Sequence, residues 1–111
     1  MTIIKDNYSI YDLLALKNND GATLRNGKSI RYASGYQVAT EGIATKSIMQ
    51  AHMAVKAYGG NCGIWLEDGT YYIDKCHRVA TKKQAISEGK AHNQISVLGW
   101  KKMDLIYMSN Y

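Results

Sequence analysis

Proline and phenylalanine are absent from this chain of 111 residues, and only two cysteines and three histidines occur. Without Phe, the aromatic content rests on nine tyrosines and two tryptophans. These rings carry a polar edge and suit half-buried and interface positions. Two thiols are too few for the disulfide framework of a small secreted domain. The first residues, MTIIKDNYSIYD, contain neither an apolar h-region nor a small-residue cleavage site. Free thiols in a reducing compartment are therefore expected. No stretch approaches the ~20 apolar residues of a membrane span, which argues against a membrane partner.

The groups that usually carry chemistry are also missing in the patterns they require. Cys62, Cys76, His77 and His92 are the only metal-capable cluster, yet they form neither a C-x-x-C nor an H-x-x-x-H pattern. Cys76 and His77 are adjacent, so in an extended segment their side chains leave opposite faces and cannot act as nucleophile and base. Gly59-Gly60-Asn61-Cys62-Gly63 precedes a strand, whereas a phosphate loop follows a strand, opens a helix and carries Lys-Ser/Thr. The nine acids are scattered, with Asp20, Asp68 and Asp104 placed as turn or surface residues. No catalytic residue, metal or cofactor is expected, and the chain reads as a non-enzyme.

What is present is an internal repeat. Residues 27–46 lie over 63–82 at a spacing of 36, matching Gly27/Gly63, Tyr36/Tyr72, Ala44/Ala80, Thr45/Thr81 and Lys46/Lys82. Unrelated segments of this length share about one residue. Each copy reads as two short strands, a connecting stretch ending in Thr, then a helix. The chain length fits a single domain, residues 1–111, with the repeat spanning 27–58 and 63–92.

Local signals supply the elements. Ser9 and Asp12 open a short helix to about Lys17, with Ile10, Leu13 and Leu14 on one face. Asn26-Gly27 joins a strand near Ala22–Arg25 to Lys28–Ala33, and Ser34-Gly35 turns the chain into Tyr36–Thr40. Thr45 is expected to cap a helix over Lys46–Tyr58, stopped by Gly59-Gly60. Its apolar stripe is Ile48, Ala51, Val55 and Tyr58, with Met49 at the edge and His52 as a half-buried packing residue. Asp68-Gly69 joins Cys62–Glu67 to Thr70–Asp74, which puts Ile64, Leu66, Tyr71 and Ile73 on a core face and Trp65 and Tyr72 on the other. Thr81 caps Lys82–His92, with Ala85, Ile86 and Gly89 inward. A mid-helix glycine costs roughly 1 kcal/mol, which implies close packing there. Strands at Ile95–Trp100 and Leu105–Met108 complete an α-β-β-β-α-β-β-α-β-β order. The fold class is α+β: duplicated strand-strand-helix units in a mostly antiparallel sheet, with helices on one face.

The net charge of +5 is uneven. Residues 1–74 hold seven Lys/Arg and seven Asp/Glu, whereas 75–102 hold Lys75, Arg78, Lys82, Lys83, Lys90, Lys101 and Lys102 against Glu88 alone. That surplus favours an anionic partner, either nucleic acid or an acidic protein surface. Lys82 and Lys83 sit at a helix start, where they oppose the macrodipole but deepen a positive potential beside free N–H groups. Lysines that merely face water are the alternative reading. Trp65, Tyr72, Tyr32 and Tyr36 are the candidate aromatic anchors.

Two resemblances follow from particular segments. Gly63 to His92, with its hairpin and its Thr81-Lys82-Lys83-Gln84-Ala85 helix start, resembles the AP2-type arm-binding domains of phage integrases. There a three-stranded sheet reads DNA, which would place Lys75 and Arg78 near the groove. More of the chain, residues 21–100, resembles small accessory proteins of phages and prophages of Gram-positive bacteria. The shared segments are Leu24–Lys28, Gly59–Trp65, Gly69–Asp74 and Gly89–Ser96. This second resemblance implies the cytoplasm of a bacterial host and a stoichiometric inhibitor of a host defence protein, in the manner of anti-CRISPR proteins. A CRISPR–Cas nuclease of the Cas9 type, bound with or without its guide RNA, is the expected target. The alternative is a small basic DNA- or RNA-binding module using the lysines of residues 75–102.

Overall fold

The computed structural model describes residues 7–111. Its elements are α1 (Ile10–Leu14), β1 (Gly21–Arg25), β2 (Lys28–Ser29), β3 (Tyr36–Thr45), α2 (Ile48–Ala57), β4 (Asn61–Glu67), β5 (Thr70–Val79), α3 (Lys82–Ala91), β6 (Ser96–Gly99) and β7 (Asp104–Tyr107), with a closing 3-10 turn at Met108–Asn110. This is the expected order, final strand included, and the class is α+β. The strands hydrogen-bond in the order β2-β1-β4-β5-β3-β6-β7, mostly antiparallel.

Turn chemistry explains the hairpins. Asn26, Gly27, Asp68 and Gly69 have φ of 51°, 80°, 48° and 78°. Positive φ at both central residues matches the right-handed twist of the flanking strands, and Asx-Gly tolerates it. Alternation does the rest. Cys62, Ile64 and Leu66 of β4 are buried while Trp65 and Glu67 are exposed, as the hairpin register requires.

Three expectations about element bounds need correction. β2 ends at Ser29, short of the expected Ala33. β3 and β5 each run for ten residues, so the expected connecting stretches are continuations of strand. Lys75, His77 and Arg78 therefore lie on β5 rather than on a loop into the helix. The cap of α2 is Ser47, whose side chain accepts from the Gln50 amide at 3.2 Å; Thr45 stands two residues upstream and accepts from the Ser47 amide at 3.0 Å. Thr81 caps α3 as expected, in a reciprocal box with Gln84. Ser47 and Thr81, with Gln50 and Gln84 three residues on, recur at a spacing of 34. The strand–helix pairs thus repeat two residues out of step with the identities at 36.

The described residues fall into two compact units, between which the chain passes after Ile30 and again within β3 and within β5. The first comprises the described residues up to Ile30 together with Gly42–Lys75. Its core joins Leu13 and Leu16, Leu24 of β1, Ala51, Ala54 and Val55 of α2, Cys62, Ile64 and Leu66 of β4, and Ile73 of β5. Leu14 and Met49, placed on apolar faces by the sequence, are exposed. His52 is half-buried and stacked on Tyr8, with the Tyr8 hydroxyl 2.8 Å from its Nδ1.

The second unit is Arg31–Glu41 with Cys76–Tyr111. Its core is smaller: Val38, Val79, Ala85, Val97 and Met108. Gly89 is buried there, and a β-carbon at that position would lie 2.7 Å from Met108 Sδ and 3.0 Å from Val97 Cγ1. The close approach inferred from this glycine is the seat of α3 against β6.

Candidate functional site: a basic cleft in the second unit

The second unit carries an open cleft of about 480 Å³. Strand pairing builds it. Tyr36 of β3 lies opposite Gly99 of β6, and Gly99 lies opposite Asp104 of β7. Gly99 has no side chain to fill the space, and the Asp104 carboxylate lies over it, 2.6 Å from where a β-carbon would be. Val97 pairs with Ile106, which packs into the core. The alternation of β7 then sends Leu105 and Tyr107 to the face opposite Ile106, where they are 55% and 46% exposed; β7 is an edge strand, and both residues also border the cleft. Lys101 and Lys102 come from the turn between β6 and β7, and Lys82 from the first turn of α3.

The cleft's ionic groups are three lysines and one carboxylate. Lys82 places its ammonium 4.8 Å from the centre of the Tyr111 ring. Its pKa is raised, chiefly by the hydrogen bond with Tyr111, so it keeps its charge. Lys90 Nζ donates to the main-chain oxygen of Tyr111 at 2.5 Å. Lys101 and Lys102 are exposed and make no hydrogen bond or ion pair among the described residues. Glu88, the sole acid among residues 75–102, is engaged by His77 Nε2 at 2.6 Å.

The structure thus brings Lys82, Lys101, Lys102 and Tyr36 together, and leaves the other candidates elsewhere. Arg78 is a clasp. Its Nε donates to the Ser34 carbonyl at 2.9 Å, its Nη2 to Ser34 Oγ at 3.2 Å, and its guanidinium lies 5.5 Å over the Tyr32 ring. Tyr32 in turn meets the buried Trp100 edge-on. Lys83 is exposed outside the cleft walls, and Lys75 belongs to the first unit. Trp65 and Tyr72 also belong to the first unit and are 44% and 39% exposed, so the aromatic face is open to solvent. The helix start is less available than its position implies, because the Thr81 and Gln84 amides are both engaged in the capping box. Tyr107, Tyr111 and Asn110 were not among the sequence candidates. The alternation of β7 about Ile106 was the signal for Tyr107; nothing local marks the other two.

Cys62 and Cys76 are free thiols. Cys62 is buried, and burial with the nearby Asp74 carboxylate pushes its pKa up to about 12, so the thiol stays protonated and unreactive. Among the described residues no three His, Cys, Asp or Glu side chains converge as metal ligands, and no helix is long and apolar enough to cross a membrane. Comparison with protein-family models, curated proteins and solved structures finds no match.

Proposed function

We propose that this chain is a small non-enzymatic accessory protein of phage origin that binds and inhibits a bacterial host defence protein in the cytoplasm. A CRISPR–Cas nuclease, taken together with its guide RNA, is the leading target. The observation that carries the reading is the basic, tyrosine-lined cleft. Three lysines against one carboxylate attract an anionic partner. Mimicry of DNA would require the opposite sign of surface. The cleft's titratable walls are lysines, tyrosines and Asp104, which supply no nucleophile paired with a base. The exposed Trp65 and Tyr72 support the same reading, since Trp and Tyr dominate binding hot spots.

The direct test is inhibition. Added in equimolar amount to a guide-loaded nuclease, the protein should block target cleavage, and its gene should raise phage survival on an immune host. Unimpaired cleavage across the defence nucleases of a natural host, with unchanged phage survival, would discard the reading. The second reading, a DNA- or RNA-binding module that acts without a defence protein, is favoured by the same grouping of lysines with aromatic rings. Retained nucleic-acid binding with no effect on any defence system would select it.

A further inference from the structure

We infer that the cleft of the second unit holds single-stranded nucleic acid, with one nucleotide lodged between its walls and Lys101 and Lys102 on the flanking phosphates. This deepens the proposed function, and rests on its reading of the cleft as the surface that meets an anion. Shape comes first. A concavity of about 480 Å³ admits one nucleotide but not a duplex, and a groove reader needs a protruding helix or ribbon, the reverse of a cleft. An acidic protein surface is a poor match as well, since a stable protein interface covers about 800 Å² on each partner. Only a protruding side chain or a flexible strand can enter.

The walls distinguish a nucleotide from a bare carboxylate. Tyr36, Tyr107 and Tyr111 line the cleft together with the lysines, and Tyr107 and Tyr111 are 46% and 51% exposed. An aspartate or glutamate side chain gains little from such rings, whereas every base has a face to stack on them. In the free protein Lys82 already lies over the Tyr111 ring and Lys90 donates to its main-chain oxygen. Those two cations are committed. Lys101 and Lys102, at the exposed turn, are not. Asp104, over Gly99, repels phosphate and sets the direction: the backbone runs along the lysine rim, and the base turns inward, where the carboxylate accepts from its N–H groups.

The experiment is fluorescence anisotropy with a labelled single-stranded RNA octamer, its duplex form, and poly-glutamate as competitor, across a salt series. The single strand should bind at least about tenfold tighter than the duplex, with a log–log salt slope of roughly −1.4 to −2.1 for two or three phosphates. Lys101→Glu with Lys102→Glu should weaken binding more than about tenfold, given two lost phosphate contacts. Tyr107→Ala should weaken it about tenfold through lost stacking. Lys28→Glu with Lys56→Glu, an equal charge change at exposed positions of the first unit, should weaken it far less. Melting curves verify that each variant folds. Equal or tighter duplex binding, no binding at low salt, displacement by poly-glutamate at equal charge, or an unaffected double variant would each overturn the inference. A nuclease inhibited without any oligonucleotide binding sinks this inference alone, while oligonucleotide binding without inhibition sinks the proposed function alone.

Discussion

Gly42 on β3 leaves the space that the Asp74 carboxylate of β5 occupies; a β-carbon there would collide with Asp74 Oδ1 and with the Ile73 carbonyl. Gly42→Ala should therefore destabilise the protein by about 2 kcal/mol, the usual scale of overpacking, as read by urea unfolding. Burial raises the pKa of Asp74 above the ordinary aspartate value. For an acid, a raised folded pKa means that the native state holds the proton more tightly than the unfolded chain. Stability falls as pH rises through the unfolded value toward the folded one, and the cost persists above both. Asp74→Asn should accordingly melt higher than wild type at pH 7. The advantage should shrink at pH 3, where both side chains are neutral; an advantage equal at both pH values would contradict the assignment. Gly89 is the contrasting case. Alanine gains about 1 kcal/mol of helix propensity there. It meets Met108 and Val97, so Gly89→Ala should still lose about 1 kcal/mol overall.

Caps decide where the two long helices begin. Ser47→Ala and Thr81→Ala should each cost about 1 kcal/mol in urea unfolding, because each removes the acceptor for a first-turn amide. Thr45→Ala should cost less than Ser47→Ala, since Thr45 reaches the first turn only through the Ser47 amide and the Gln50 side chain. The reverse order would restore Thr45 as the cap. Much of the architecture was legible because its signals are local: Asx-Gly at the hairpin turns, apolar alternation along β4, a buried glycine in α3. The lengths of β3 and β5 were not. Their later residues, Gly42-Ile43-Ala44 and Lys75-Cys76-His77, have weak strand character of their own and are held by cross-strand partners. The displaced cap has a similar origin: Thr45 and Ser47 both satisfy capping chemistry, and the identities with the second copy pointed to the wrong one of the two.

For the whole molecule, the decisive property is the placement of charge. The surplus among residues 75–102 was legible as a count, and Lys82, Lys101 and Lys102 do converge on one cleft. The count could not separate them from Arg78, spent on Ser34 and Tyr32, or from Lys90, spent on Tyr111. Nor could it place Tyr111 against α3, since that contact joins segments far apart in sequence. The tyrosine walls depend on tertiary pairing, and so the character of the site emerges only from the fold. The most direct test is affinity purification from a phage-sensitive host, run side by side with wild type and the Lys101→Glu, Lys102→Glu variant. A defence nuclease retained by wild type and lost from the equally stable variant is the predicted result. Equal retention by both proteins, or no defence nuclease on either, would contradict a cleft whose cations hold the partner.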